Sequence, residues 1–317
     1  MLRQVDAETI HRVLAYSPLI ERLRRAFHDG ASVPPRHHHA IPVDRGTPDG
    51  TLLVMPAWIP GRHIGIKTVT IFPGNGRVGL PSVIGNYTLL DGRTGAPLAL
   101  LDGVALTLRR TAAASALASG FLSRLESEVL LMVGAGALAP HLIGAHCAVR
   151  PIRQVLLWNR SIAKARALAA DLSQRMRGPA FIVTDNLEGA VRQADVISCA
   201  TLSAEPVIKG AWLRPGQHVD LVGGFTPKMR EVDDLGIRLA RVYVDTRPGA
   251  LSEAGDLVDP IRRGIIGEGH IQGDMFDLAR GRVRGRQQPE EVTLFKSVGT
   301  ALEDLVAAEM VVEQLGP

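Results

Sequence analysis

A glycine turn between an apolar strand and an apolar helix constrains the fold of this chain more than any other feature. The stretch "VLLMVGAGALAPHLIG" holds Gly134, Gly136 and Ala139 in the spacing G-x-G-x-x-A. In such a motif the first glycine makes the tight turn, the second lets the backbone approach a pyrophosphate, and the helix N-terminus attracts the anion. A second strand, "QVLLWNRS", follows the helix, and this is the context that the motif requires. We therefore predict a dinucleotide-binding Rossmann domain.

The end of the second strand favours one of the two nicotinamide cofactors. A strand that binds NAD usually ends in Asp or Glu, which holds the ribose 2′-hydroxyl. Here the strand ends in Asn159, Arg160 and Ser161, and Lys164 lies one turn further along. A guanidinium can pair with a 2′-phosphate through two hydrogen bonds, and no carboxylate is present there to repel it. The sequence predicts NADPH, and use of NADH stays open as the weaker alternative.

Alternating strands and helices extend from this motif through the second half of the chain. The runs "AFIVTD", "ADVISCAT", "HVDLVGG" and "RVYVDT" are predicted to be four further strands. Strands that alternate with helices form a parallel sheet with helices on both faces. The predicted fold class is α/β, with a Rossmann-type doubly wound parallel sheet in a dinucleotide-binding domain over residues 113–297.

The two ends of the chain are predicted to form a discontinuous α+β domain for substrate binding and dimerisation, residues 1–112 and 298–317. Its first 30 residues look helical, with Ser17 and Pro18 as a helix start and Gly30 as the stop. Short apolar runs between about residues 33 and 110 predict an antiparallel or mixed sheet, in which "LLDGRTGAPLALLD" is a hairpin. The tail "SVGTALEDLVAAEMVVEQL" is predicted to be an amphipathic helix that returns to this domain.

Charge and hydropathy exclude several classes of partner. The chain has 36 basic and 32 acidic residues and a formal charge of +4, without long runs of like charge. This does not favour a nucleic-acid partner. The N-terminal "MLRQVDAETI" does not resemble a signal peptide, and the long apolar stretch around Gly134 contains turn residues that do not suit a membrane span. We expect a cytoplasmic protein without a membrane partner.

Neither the cysteines nor the histidines predict a metal site. Cys147 and Cys199 lie far apart and form no CxxC motif, which argues against a zinc site or a disulfide framework and favours a reducing compartment. His37, His38 and His39 are consecutive, so their side chains diverge, and no acidic or cysteine partner is suitably spaced. We expect no metal.

Three cationic side chains of the first domain are candidates for binding an anion. Arg36 follows two prolines, Lys67 interrupts the apolar strand "HIGIKTVTIF", and Arg110 lies at "RRTAAA". A lysine within an apolar strand costs free energy unless it is paired, so Lys67 lies either in a charged site or on an exposed sheet edge. Two guanidiniums and an ammonium suit a substrate carboxylate.

Motifs along nearly the whole chain resemble those of one family. They occur in order between about residues 33 and 310: "PPR", "MPAW", "GIKTVTIFPGN", "LLDGRTGAPLALLDG", "LTLRRTAAASALA", "VGAGALA", "WNRS", "ATLS" and "FKSVGTALEDL". The chain is thus similar to the ornithine cyclodeaminase/mu-crystallin family of two-domain Rossmann proteins. That family includes a lyase that cyclises ornithine, amino-acid dehydrogenases, opine-type synthases, cyclic ketimine reductases and a lens crystallin that binds NADPH and thyroid hormone.

The resemblance implies roles for individual residues and a homodimer formed through the sheet of the first domain. Lys67 would be the catalytic residue, near the reacting nitrogen. The substrate would be bound by Arg36, Met55, Lys67, Arg110 and Phe225. The cofactor would be bound by Thr111, Gly134, Ala135, Gly136, Ala137, Leu138, Asn159, Arg160, Ser161, Lys164, Thr201, Val222, Gly223 and Ser297.

One departure from the family separates two of its activities. The lyases place an aspartate shortly after the fifth Rossmann strand, where this chain has Phe225 in "GQHVDLVGGF". Phenylalanine cannot bind an amine through charge, but it can cover a flat ring. The stretch "VDLVGGFTPKMREVDD" resembles the subgroup that reduces Δ1-pyrroline-2-carboxylate to L-proline, and often Δ1-piperideine-2-carboxylate to L-pipecolate. We therefore expect an NAD(P)H-dependent oxidoreductase acting on the C=N bond of a small cyclic imino acid.

Several alternatives stay open at this level. Hydride addition to an imine needs a proton source, which is either Lys67 or a water molecule. An ornithine cyclodeaminase and a non-enzymatic NADPH-binding protein of the crystallin kind are the alternative functions. Phe225 could serve packing alone, and Asp220 is interpreted as structural or as an anchor for a nearby loop. The sequence does not decide the ring size, the physiological direction or the pathway.

Overall fold

The computed structural model describes residues 2–44 and 48–316. The chain divides into two compact units. Unit 1 comprises the described residues up to Thr111 together with those from Thr300 onward, and unit 2 comprises Ala112–Gly299. Each unit contains one β-sheet.

The described part of unit 1 contains a six-stranded mixed sheet. Its elements are β1 (Arg3–Val5), α1 (Ala7–Val13), α2 (Tyr16–Asp29), β2 (His37–Ile41), β3 (Gly50–Ile59), β4 (His63–Ile71), a 3₁₀ turn (Pro73–Val78), β5 (Val83–Asp91), β6 (Pro97–Asp102), the start of α3 (Gly103–Leu122), and the C-terminal helix (Ala301–Leu315). The strand order is β1-β6-β5-β4-β3-β2, in which β1 is parallel to β6 and the other neighbours are antiparallel. The predicted hairpin is β5–β6.

Two predictions about the helices of unit 1 need correction. The helix predicted to begin at Ser17 begins at Tyr16 with Ala15 as its N-cap, so Ser17 makes no cap. Pro18 still lies in the first turn, where its missing N–H is not needed. Gly30 ends the helix with a φ of 87°, as predicted, because glycine adopts positive φ without strain.

The C-terminal helix was predicted to be amphipathic, but the residues Ala301–Val311 are all buried. The helix packs against β3, β4 and α2, so both of its faces are covered. Its acidic residues Glu303, Asp304 and Glu309 are therefore buried as well. A charged side chain in such a place needs a partner of opposite charge, and basic side chains of the same unit supply it.

Unit 2 contains an eight-stranded sheet, and all of its residues are described. After the end of α3 its elements are β7 (Val129–Val133), α4 (Ala139–Cys147), β8 (Gln154–Trp158), α5 (Ile162–Arg175), β9 (Ala180–Val183), α6 (Leu187–Gln193), β10 (Val196–Cys199), β11 (His218–Leu221), α7 (Asp234–Leu239), β12 (Arg241–Val244), α8 (Arg247–Glu253), α9 (Gly255–Arg262), β13 (Ile271–Asp274), α10 (Met275–Ala279) and β14 (Thr293–Lys296). The C-terminal helix of unit 1 is α11 in this order.

The strands of unit 2 are all parallel and follow the order β13-β12-β14-β11-β10-β7-β8-β9. This confirms the predicted α/β class with a Rossmann-type parallel sheet. The order reverses between β7 and β10, and ligands of such sheets bind outside the carboxyl ends of the strands at this point. The sequence analysis did not predict β13 (IQGD) and β14 (TLFK), each of which ends in a charged residue, Asp274 or Lys296.

Among the described residues, no helix is both long enough and apolar enough to cross a membrane.

Candidate functional site

A cavity of about 370 Å³ opens at the carboxyl ends of β7, β8 and β10, where the strand order of unit 2 reverses. The loops after these three strands supply its walls. Its lining residues are Gly134, Ala135, Gly136, Trp158, Asn159, Arg160, Ser161, Lys164, Ala200, Thr201, Leu202, Ser203 and Val207. The glycine motif and the end of the second Rossmann strand, which lie apart in the sequence, therefore meet in one cavity.

The turn after β7 has the geometry that the glycine motif predicts. Gly134 adopts a φ of 110°, and a Cβ on it would lie 2.6 Å from the carbonyl oxygen of Ala200. A Cβ on Gly136 would meet no atom within 4 Å, so space beside that backbone is open for a ligand. The backbone N–H of Ala135 donates to Asn159 Oδ1 at 3.2 Å, which joins the two strand ends.

The charges of this cavity are positive. Arg160 and Lys164 line it, and no Asp or Glu is among its described lining residues. A pyrophosphate and a second phosphate would both be attracted there, since no carboxylate opposes them. The open glycine turn and the cationic wall fit a nicotinamide dinucleotide, whose bound nicotinamide would supply or accept hydride.

The structure brings most of the predicted cofactor residues together. Those that line the cavity are Gly134, Ala135, Gly136, Asn159, Arg160, Ser161, Lys164 and Thr201. Ala137, Leu138, Val222, Gly223 and Ser297 belong to unit 2 but do not line it, and Thr111 belongs to unit 1. The sequence did not single out Trp158, Ala200, Leu202, Ser203 and Val207, although "ATLS" directly follows a strand and could have signalled three of them.

Two of the predicted cofactor residues have contacts within the protein that explain their identity. A Cβ on Gly223 would lie 2.0 Å from the carbonyl oxygen of Thr201, so a glycine is needed there for packing between two loops. Ser297 is buried, and its hydroxyl donates to Asp245 Oδ2 at 3.3 Å. Their contact with a cofactor stays a prediction.

A second cluster of charges lies within unit 1 and contains the predicted anion ligands. Lys67 is only 3% exposed, in the middle of the sheet, so it is not an edge residue. Its Nζ donates to Asp304 Oδ2 at 2.6 Å. Arg110 donates from Nε to Asp304 Oδ1 at 2.9 Å and from Nη1 to Glu303. One carboxylate of α11 thus joins a lysine of β4 to an arginine of α3.

The burial of this cluster changes its acid–base properties. Burial together with the charges of Arg110 and Arg36 lowers the pKa of Lys67 to about 8, against the opposing effect of Asp304. Burial favours the neutral form of Asp304, but Arg110 and Lys67 outweigh it and lower the pKa of Asp304 below its usual value. A pKa of about 8 keeps Lys67 mostly protonated at neutral pH, and the lowered pKa of Asp304 keeps that carboxylate ionised.

The other predicted substrate residues fall into different places. Met55 is buried and lies directly opposite Lys67 in the register of β3 and β4. Arg36 is near enough for its charge to act on Lys67. Phe225 belongs to unit 2, where it follows the end of β11 and is 42% exposed. The partner that the sequence did not identify is Asp304, although a buried lysine should have prompted a search for a buried acid.

The three consecutive histidines lie in β2, and the described part of the chain contains no cluster of His, Cys, Asp or Glu arranged to hold a metal ion. The rings of His37 and His39 are stacked with their centroids 6.3 Å apart, since alternate residues of a strand share a face.

The glycine turn, the switch in strand order and the cationic cavity together define a nucleotide-binding protein of the Rossmann class. Comparison with known proteins supports this class over almost the full length of the chain. The family model of the ornithine cyclodeaminase/mu-crystallin family matches residues 1–316. The chain belongs to the ornithine cyclodeaminase/mu-crystallin family, as its motifs indicated.

Two Δ1-pyrroline-2-carboxylate reductases and one alanine dehydrogenase are among the proteins that the chain is similar to. The Δ1-pyrroline-2-carboxylate reductase of Colwellia psychrerythraea is 38% identical over 315 residues, which are 99% of each chain. A structure of the Thermococcus litoralis Δ1-pyrroline-2-carboxylate reductase in complex with NADH and L-proline has a TM-score of 0.91 and 34% identity, and the match covers 99% of this chain and 97% of that one. An archaeal alanine dehydrogenase dimer with bound NAD has a TM-score of 0.89 and 28% identity, over 98% and 95% of the two chains.

These likenesses confirm the prediction of an oxidoreductase that acts on a C=N bond and the prediction of a nicotinamide cofactor.

Replacing Asp304 with asparagine should destabilise the protein strongly, because Lys67 and Arg110 would both lose a buried anionic partner. Breaking a buried ion pair typically costs about 3–5 kcal/mol. The free energy of unfolding can be measured with urea. Asp171→Asn is a matched control, because it removes an exposed pair with Arg175 that should contribute about 0.5 kcal/mol or less. Equal effects of the two substitutions would contradict this account of the buried cluster.

Proposed function

We propose that this enzyme reduces a small cyclic imino acid with NADPH. The substrate is Δ1-pyrroline-2-carboxylate, Δ1-piperideine-2-carboxylate or both, and the products are L-proline and L-pipecolate. The observation that carries this proposal is the pair of buried cations, Lys67 and Arg110, held by the single carboxylate of Asp304. The similarity to two named pyrroline-2-carboxylate reductases supports the same substrate class.

The cation cluster suits the carboxylate of an α-imino acid. Asp304 and Glu303 occupy Nε and Nη1 of Arg110, whereas its Nη2 has no hydrogen-bond partner among the described residues. A substrate carboxylate can accept from this Nη2 and from Lys67, and the charge of Arg36 strengthens the attraction. Because the two cations are fixed by α11, they orient the substrate without having to be ordered when it binds.

Lys67 is the proposed proton donor. Reduction of an imine adds a hydride to the carbon and a proton to the nitrogen, so the C=N bond becomes a CH–NH group. A bound nicotinamide would supply the hydride, and the ammonium of Lys67 donates the proton to the nitrogen. A pKa of about 8 leaves Lys67 mostly protonated at neutral pH but able to release its proton. Solvent then reprotonates Lys67 before the next turnover.

Phe225 favours a ring substrate over a flexible diamino acid. It is a large apolar side chain that is 42% exposed on unit 2, so it is available to cover an apolar ligand surface. Conversion of ornithine to proline and ammonia requires a group that binds and deprotonates an amine, and a benzyl group can do neither. The cyclodeaminase activity is therefore the weaker candidate.

NADPH is the proposed cofactor because Arg160 and Lys164 line the cavity without an accompanying carboxylate. Both cations suit a 2′-phosphate, whereas a ribose 2′-hydroxyl is usually held by an acid. NADH is the cofactor in the structure of the Thermococcus litoralis relative, so the coenzyme preference needs a direct measurement.

A cytoplasmic homodimer is the proposed state of the enzyme. The similar archaeal alanine dehydrogenase is a dimer. The molar mass in solution, measured by light scattering, should be twice that of the chain, and a monomer would contradict the proposal.

Turnover of the ring imines tests the proposed function directly. The purified enzyme should oxidise NADPH when Δ1-pyrroline-2-carboxylate or Δ1-piperideine-2-carboxylate is added, which the loss of absorbance of the reduced cofactor reports. Arg110→Ala should raise KM and lower kcat together, since it removes both binding and orientation of the carboxylate. Absence of turnover with both imines and both cofactors would overturn the proposal, and release of ammonia from ornithine without added reductant would support the lyase.

The pH dependence of the reaction tests the role of Lys67. Because Lys67 is protonated below its pKa of about 8, kcat should fall as the pH rises above that value. Lys67→Met should lower kcat by about 100-fold or more. Lys67→Arg keeps the charge and should remove the decline near pH 8. Substitution of the exposed Lys209 by methionine is the control and should leave the profile unchanged. A wild-type profile without a decline near pH 8 would assign the proton to water.

Removal of the Arg160 guanidinium tests the coenzyme preference. Arg160→Ala should reduce kcat/KM for NADPH by about tenfold or more, since a hydrogen bond to a charged group contributes about 1.5–3 kcal/mol. The value for NADH should change little. Arg166→Ala removes a nearby exposed arginine of α5 that does not line the cavity, and it serves as the control. An equal loss with both cofactors would show that Arg160 does not bind the 2′-phosphate.

A further inference from the structure

A buried glutamate of unit 2 joins the two loops that follow β10 and β11. Glu231 has no exposed surface. Its Oε1 accepts from the backbone N–H of Thr201 at 2.7 Å and from the Thr201 hydroxyl at 2.9 Å. Its Oε2 accepts from the backbone N–H groups of Gly223 at 2.8 Å and Gly224 at 3.3 Å. One carboxylate therefore accepts four hydrogen bonds from two neighbouring strand ends.

Two further buried charges hold Glu231 in place. Asp256 Oδ1 accepts from the backbone N–H of Glu231 at 2.7 Å and from that of Val232 at 3.2 Å. Lys296 Nζ, at the end of β14, lies 3.1 Å from Asp256 Oδ2 and 3.9 Å from Glu231 Oε2. Burial raises the pKa of Glu231 to about 7, and Lys296 opposes that rise. The lysine thus favours the ionised carboxylate, which alone can accept all four bonds.

Both ends of this connection reach residues with a proposed role. Thr201 lines the cofactor cavity, and Gly224 immediately precedes Phe225. The two loops touch closely, since a Cβ on Gly223 would lie 2.0 Å from the carbonyl oxygen of Thr201. A shift of either loop would therefore move the other, and Glu231 is the side chain that fixes both.

We propose that Glu231, with Asp256 and Lys296 behind it, is a positioning residue that holds Thr201 at the cofactor and Phe225 at the start of its loop. It contacts neither cofactor nor substrate and acts through the backbone of the two loops. This inference rests on the proposed use of the cavity for a nicotinamide cofactor, but not on the identity of the imine.

The isosteric change Glu231→Gln tests this proposal. Glutamine keeps the shape of the side chain but replaces one acceptor oxygen by an N–H₂ group, which cannot accept from the N–H or O–H groups that face it. The Kd for NADPH, measured by the fluorescence of the bound cofactor without any imine, should rise about tenfold or more. Hydrogen exchange of the backbone amides of Thr201, Gly223 and Gly224 should become faster in the variant.

Asp220→Asn is the matched control for a general effect on stability. Asp220 is also fully buried, in β11, where it accepts from Ser198 Oγ at 2.7 Å and lies 3.2 Å from His146 Nε2. Ser198 lies in β10 and His146 near the C-terminal end of α4, so neither contact belongs to the loops that follow β10 and β11. The Asp220→Asn substitution should lower the melting temperature but change the Kd for NADPH by less than about twofold. KM for NADPH, measured with whichever imine the enzyme reduces, should change by about the same factor as the Kd in both variants.

Asp256→Asn provides a milder variant if Glu231→Gln does not fold. Its amide oxygen can still accept from the backbone of Glu231, and only the contact with Lys296 changes, so Kd should rise by a smaller factor in the same direction. An unchanged Kd in a folded Glu231→Gln or Asp256→Asn protein would overturn the proposal, and so would an equal rise in Asp220→Asn. A wild-type protein that binds NADPH but reduces neither imine would contradict the proposed function and leave this inference intact.

Discussion

The ion pairs of Asp304 are the interaction on which the first unit depends. This carboxylate joins β4 through Lys67 and α3 through Arg110, although it lies almost at the end of the chain. Lys67 and Arg110 bind the same carboxylate, so the two cations lie close together and repel each other. Burial removes the water that would screen this repulsion. The negative charge of the carboxylate offsets this repulsion, and its hydrogen bonds hold both cations in one orientation. The proposed substrate site therefore exists only once α11 has packed onto the sheet.

Glu231 performs a comparable task in the second unit. It accepts hydrogen bonds from four donors at two strand ends, and Lys296, which it shares with Asp256, lies 3.9 Å away. In both units a fully buried acid lies behind the residues assigned to ligand binding. Such buried acids fix the positions of the groups that they bind. A movement that separated them would leave a buried charge without a partner, and this costs free energy.

The residues that sequence reasoning identified and those that it missed differ in how far along the chain their interaction partners lie. The glycine turn and the end of β8 are readable because each depends on neighbours a few residues away. Asp304 looks like the polar face of an amphipathic helix, and Glu231 lies in a loop with several other charges. Their partners are distant in the sequence, so no local pattern distinguishes them from exposed acids.

The sequence by itself determined the Rossmann-type α/β class, the family, the glycine turn and the cationic end of the second strand. These follow from local backbone requirements and from short motifs, which the chain carries in the order of its residues. The tertiary structure alone decided that Lys67 is buried rather than at an edge, that Asp304 is its partner, and that Glu231 joins two loops. Whether a charged side chain is solvated or paired depends on what packs over it, and that is fixed only when distant segments meet.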